Sequence, residues 1–111
     1  MTDKIVVLIT ARNLRESKKI ARQLVQSELA ACVNIVHPIR SIYRWQGQIE
    51  DDRECLLFAK STRRRFREIE AQVKKVSSYK TPEIICLPVV DGSQDYLSWL
   101  EGSVKRVGEE D

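Results

Sequence analysis

Six residues of this chain have side chains suited to holding a small ligand rather than filling a core: Tyr43, Arg44, Trp45, Lys60, Tyr79 and Glu83. They offer two phenols, an indole, two cations and a carboxylate. Tyr43 and Trp45 are two apart, so on a strand they share one face. Across a two-residue turn their neighbours are Glu50 and Gln48. Tyrosine, tryptophan and arginine also anchor protein interfaces. The same residues therefore suit either subunit packing or a ligand cleft between subunits, and their types leave both readings open. Glu83 follows Pro82 at a strand entrance, where a carboxylate can face a ligand or accept bonds from loop amides.

Other chemistries find fewer of their parts. The cysteines, Cys32, Cys55 and Cys86, are odd in number and widely spaced, so no disulfide framework is expected. All three sit in apolar strand settings, where a free cysteine behaves as a small hydrophobe. No Cys-x-x-Cys pair is present, and His37 is the single histidine. Glu50, Asp51 and Asp52 suit a hard cation or a solvated hairpin. An acyl-phosphate or phosphate-ester hydrolase has Arg12 and Asn34 to draw on, but no nucleophile, base and orienter recur together. A nucleic-acid module has the basic run Lys60 to Lys75, which also reads as a solvated helix face. The net charge of +3, from 19 basic and 16 acidic residues, argues against nucleic acid as a partner.

The elements that position these residues follow from the apolar pattern. Ile5–Ile9, Cys55–Ala59 and Ile84–Leu87 are apolar without alternation, which is the mark of strands buried on both faces. A first helix is expected over 14–29, opened by Asn13 with Glu16 three residues on. A long hairpin is expected over 32–60, turning at Gln46-Gly47 and bending at Pro38. A second helix follows over 63–76, a strand over 83–90, and a last helix from Ser93 with Tyr96, Leu100 and Val104 in line. The order is that of an α+β, ferredoxin-like βαββαβ sandwich with an extended hairpin and a C-terminal helix. At 111 residues a single domain is expected, with an ordered core over about 5–107 and a short acidic tail. Both main helices land on one face of the sheet. Something must cover the other, and a homotrimer built through its sheets does so. The terminal helix is the competing cover. No membrane-spanning run and no leader pattern is read, so the cytoplasm is the expected compartment.

Four blocks resemble the CutA family, the divalent-cation tolerance proteins: Leu29–Asn34, Ser41–Ile49, Tyr79–Ile85 and Tyr96–Leu100. The resemblance spans nearly everything from Ile5 to Leu100. It implies a trimer similar in architecture to the PII signalling proteins, a role in tolerance of copper and other divalent metals, and no catalysis. It also implies intersubunit clefts lined by Tyr43, Trp45, Lys60, Tyr79 and Glu83. Some bacterial relatives implicated in copper binding place a cysteine near the end of the first strand and histidines before the Tyr-x-Thr-Pro-Glu block. Here those places hold Ile9, and Val76 with Ser77. Two aliphatic side chains and a hydroxyl make no copper site. Glu83 is the one residue carried over as a candidate metal ligand.

Overall fold

A computed structural model describes residues 2–105. The expected ordered limit at 107 and the acidic tail lie outside the described residues. The chain forms β1 (Lys4–Ala11), α1 (Leu14–Gln26), β2 (Cys32–Trp45), β3 (Gln48–Thr62), a 3₁₀ turn (Arg63–Arg65), α2 (Phe66–Val76), β4 (Ile84–Pro88) and α3 (Gln94–Ser103). The strands make one antiparallel sheet in the order β2-β3-β1-β4, the order of a ferredoxin-like sandwich. Ile20, Ala21 and Leu24 of α1 and Ile69 and Val73 of α2 recur at helical spacing. They pack on Ile5, Val7, Ile9, Ala11, Cys55, Leu57 and Ala59, which makes the main core.

The hairpin β2–β3 runs beyond the sheet. β1 pairs with β3 only from Cys55 to Thr62, so residues 39–54 form a two-stranded arm. At its tip Gln46 and Gly47 both have positive φ, at 50° and 80°. That is the geometry a two-residue hairpin turn needs, and glycine supplies it without a Cβ clash. At the arm's base the register jumps from Val36↔Leu56 to Ile39↔Glu54. His37 and Pro38 together therefore oppose Cys55 alone, a β-bulge where the proline foretold a bend. The bulge resets the pleat. Before it, Cys32, Asn34 and Val36 face away from the helices; after it, Ile39, Ser41, Tyr43 and Trp45 do. Without the extra residue Tyr43 and Trp45 would sit on the helix side.

The element boundaries differ from expectation in ways the backbone explains. α1 stops at Gln26, not near Leu29, because Glu28 turns left-handed at φ 60°. The amides of Leu29 and Ala30 then both close onto the Leu24 carbonyl. The capping box is half formed. Asn13 Oδ1 accepts from the Glu16 amide, but the Glu16 carboxylate accepts from the Ser78 amide instead of turning back. The second helix opens as the 3₁₀ turn before becoming α2. Leu100 of α3 and Val104 just after it are buried as expected, while Tyr96 is exposed and its ring lies tilted against that of Trp99 at a 5.4 Å centroid separation.

The face opposite α1 and α2 is only partly covered. Lys4 and Thr62 lie there, and Lys4 Nζ reaches Glu101 of α3 across 2.7 Å. So α3 shields the end where β1 begins. The rest stays open: Ile85, Leu87 and Val36 are 48%, 46% and 44% exposed, and Val6, Leu8, Leu56 and Phe58 are half-buried. The apolar runs of β1 and β3 are thus sealed on the helix side and partly wet on the back in the single chain, while Cys86 of β4 is exposed on the helix side.

Candidate functional site

The back of the arm carries a row of acids. Glu54, Asp52 and Glu50 alternate along β3 and pair with Ile39, Ser41 and Tyr43 of β2. Tyr43 donates its hydroxyl diagonally to Asp52 Oδ2 at 2.5 Å. Tyr79, in the loop after α2, donates to Glu54 Oε1 at 2.8 Å. The loop is held over the sheet edge from the other side by Arg12. Its guanidinium stands 5.5 Å from the Tyr79 ring centroid, and its Nε donates to Ser78 Oγ at 3.0 Å. A cation over a phenol face is attractive.

Both phenols are poor acids here. Asp52, by accepting the Tyr43 hydroxyl, pushes that group up to about 12. Burial pushes Tyr79 upward, and the bond to Glu54 adds to it. Removing either proton would set a phenolate beside a carboxylate. At neutral pH these two residues are hydrogen-bond donors already engaged, and not bases.

Tyr43 and Tyr79 are therefore brought together, joined by Asp52, Glu54 and Arg12. The other expected cleft residues are not in the same cluster within one chain. Lys60 lies six residues along β3 from Glu54, about 20 Å at strand rise, and donates to Asn34 Oδ1. Trp45 sits at the arm's tip opposite Gln48, about as far away in the other direction. Glu83 enters β4 through its backbone: its amide donates to Thr10 Oγ1 and its carbonyl accepts from the Thr10 amide. Its carboxylate is exposed and bonds no described residue. The even-handed expectation for Glu83, ligand or loop acceptor, resolves against the loop-acceptor role. Glu54 is a site residue that the sequence did not single out, whereas Asp52 was expected only as a hard-cation or solvated-hairpin acid. Its signal was the acid at every second position, Glu50, Asp52 and Glu54, running up to the apolar stretch Cys55–Ala59.

The rival chemistries lose their parts. Arg12 is engaged with Ser78 and Tyr79, and Asn34 with Lys60, so the two do not converge on one phosphate. The basic run is largely neutralised internally. Arg65 is buried, donating to the Lys105 carbonyl and paired with Glu68, while Arg67 and Lys74 share Glu70 and Arg64 pairs with Asp3. For a metal, Ile9, Val76 and Ser77 offer two aliphatic side chains and a hydroxyl, which are no copper ligands. No group of three or more His, Cys, Asp or Glu side chains is arranged to hold an ion among the described residues. A metal site of three or more such donors within one chain does not fit the described residues. No helix among the described residues is long and apolar enough to cross a membrane. The expectation that all three thiols are core-like needs correction: Cys55 is buried, Cys32 is half-buried, and Cys86 is exposed on the edge strand.

Comparison with known proteins agrees with the fold and with the blocks. The family described as CutA1 divalent ion tolerance protein matches residues 5–103. The divalent-cation tolerance protein CutA of Thermus thermophilus is 46% identical over 95 residues, covering 86% of this chain and 92% of the relative. The protein of the same name from Archaeoglobus fulgidus is 38% identical over 99 residues, covering 89% and 96%. The solved structure of the divalent cation tolerance protein from Thermus thermophilus superimposes with a TM-score of 0.90 at 43% identity, over 92% of this chain and 99% of that one.

Proposed function

This chain belongs to the CutA1 divalent ion tolerance family, and on that footing we propose that it acts as a homotrimer closed through the backs of its sheets. The observation that carries the proposal is the open apolar face. Ile85, Leu87 and Val36 are each nearly half exposed in a layer where Leu8, Leu56 and Phe58 are also incompletely covered. Burying a large aliphatic or aromatic side chain contributes about 1.5–3 kcal/mol. A face of this kind favours association, and exposed apolar patches of this extent mark contact surfaces. The exposed Ile42 and Ile49 of the arm, 69% and 62% accessible, give each chain a second apolar surface that reaches towards a neighbour.

The proposed role is binding, in a response to divalent metal ions such as copper, in the cytoplasm. The clefts form between subunits and involve Tyr43, Trp45, Lys60, Tyr79 and Glu83. Assembly is what unites them. Lys60 and Trp45 stand about 20 Å from Glu54 in opposite directions within one chain, so a neighbouring copy has to bring its own members of the set. Phenols held as donors to carboxylates favour recognition over acid–base turnover. Three unpaired thiols, one of them exposed, suit a reducing compartment.

Calorimetric titration of the assembled protein with Cu²⁺, in parallel with Glu83→Gln and Tyr43→Phe, tests the cleft. Saturable uptake weakened in both variants supports it. Uptake that ignores both variants, or no uptake, removes the metal from the reading.

A further inference from the structure

The β-bulge has a chemical consequence on the opposite, helix-facing side of the sheet. His37 and Pro38 together face Cys55, and this brings the His37 Nδ1 to 3.1 Å from the Cys55 Sγ. Cys55 has no exposed surface, whereas His37 is open to solvent. A borderline nitrogen and a soft sulfur thus sit side by side, the nitrogen at the surface and the sulfur just beneath it.

We propose that His37 and Cys55 form a binding site for a soft monovalent cation, Cu⁺. Thiolate sulfur selects soft ions, and imidazole is compatible with copper. Cu⁺ also accepts a low coordination number, which a pair of donors can satisfy. Charge favours the monovalent ion. A thiolate alone in apolar surroundings is costly; thiolate with Cu⁺ is neutral, whereas a divalent ion leaves a net positive charge at the edge of the core. Binding is a plain exchange. The thiol proton leaves to water as the sulfur–copper bond forms, the neutral imidazole contributes a lone pair, and no electron changes hands.

The geometry needs only a modest opening. With metal–sulfur and metal–nitrogen bonds of about 2.3 and 2.0 Å, an ion between the two atoms needs them about 3.5 Å apart at a tetrahedral angle and about 4.3 Å apart in a line. The exposed imidazole, on a bulge, is the side that can move. The site is separate from the proposed cleft, since Cys55 and Glu54 point to opposite faces of β3. It also uses none of the positions Ile9, Val76 and Ser77.

The test is a competition for Cu⁺ against the chromogenic chelator bicinchoninate. It uses full-length reduced protein under argon, with Cys32→Ser and Cys86→Ser in the background to silence the more accessible thiols. The expected result is one Cu⁺ retained per chain, affinity lower by about tenfold or more in His37→Gln, and retention abolished in Cys55→Ala. Because Cys55 lies in the core, Cys55→Ala is read only if its melting curve remains cooperative; His37→Gln alters an exposed side chain and decides the matter alone. Parental affinity in His37→Gln overturns the site, as does a parent that retains no Cu⁺. Cu²⁺ uptake at the cleft is scored separately, since His37→Gln leaves Tyr43, Tyr79 and Glu83 in place.

Discussion

The Tyr79 hydroxyl donates to Glu54 Oε1 across 2.8 Å, tying the loop that leads into β4 to the back of β3. Glu54 is only 8% exposed, and Tyr79 is its hydrogen-bond partner. Tyr79→Phe therefore strands a carboxylate with little access to water. The expected cost is about 1–3 kcal/mol in chemical denaturation. Adding Glu54→Gln to Tyr79→Phe should recover part of that loss, because a neutral amide is cheaper to leave unpaired. Strict additivity of the two changes would mean that the bond contributes nothing.

Tyr43 should be the tyrosine most sensitive to its carboxylate. The bond to Asp52 lifts it from an ordinary value near 10 to about 12. A raised folded value stabilises the fold fully below the unfolded value and ceases to do so as pH climbs through about 12. In a near-ultraviolet absorbance titration, Asp52→Asn should move one phenol down towards 10 and leave the others in place. An unchanged titration curve would show that Asp52 does not hold Tyr43.

The terminal helix should loosen in acid. Lys4 donates to Asp3 and to Glu101, and these bonds hold both carboxyls below their ordinary range. Burial works against the Lys4 charge, but the two carboxylates outweigh it and raise the ammonium. The carboxylate contribution is present above their unfolded values and lost as pH falls through the lowered folded ones. The Lys4 contribution is present at neutral pH and lost only as pH rises through its raised value. Trp99 lies in α3, so its fluorescence should report a transition on acidification that precedes global unfolding. Glu101 is partly solvated, so Glu101→Gln should cost about 0.5–1 kcal/mol at pH 7, and less in high salt.

The arm and its tip were readable from the chain because each rests on a local rule. Gln46-Gly47 supplies the positive φ of a two-residue turn, and period-two alternation puts Tyr43 and Trp45 together. Pro38 announced a bend. It did not announce that the pleat changes phase there, because that depends on how many residues oppose Cys55 across the ladder. For the same reason the pairing of His37 with Cys55 was invisible: they are 18 positions apart, and only the bulge makes them neighbours. Glu54 was hidden at the end of the charged stretch Glu50–Arg53, and its partner Tyr79 is 25 positions away in the chain. The neutralised basic run was partly legible, since Arg67, Glu70 and Lys74 stand at i, i+3 and i+4 spacings. The burial of Arg65 was not, because it depends on the chain returning to offer the Lys105 carbonyl.

The open sheet face makes the most direct demand. Leu87→Asp places a charge at its exposed edge strand and should dissociate the assembly while leaving the helix-side core intact, with circular dichroism unchanged.

The decisive measurement is the mass in solution, by sedimentation equilibrium or light scattering at micromolar concentration. The expected result is three times the chain mass of 12.8 kDa for the parent and a shift towards the single-chain mass for Leu87→Asp. A parent that sediments as a stable 12.8 kDa particle would contradict both the trimer and the clefts that depend on it.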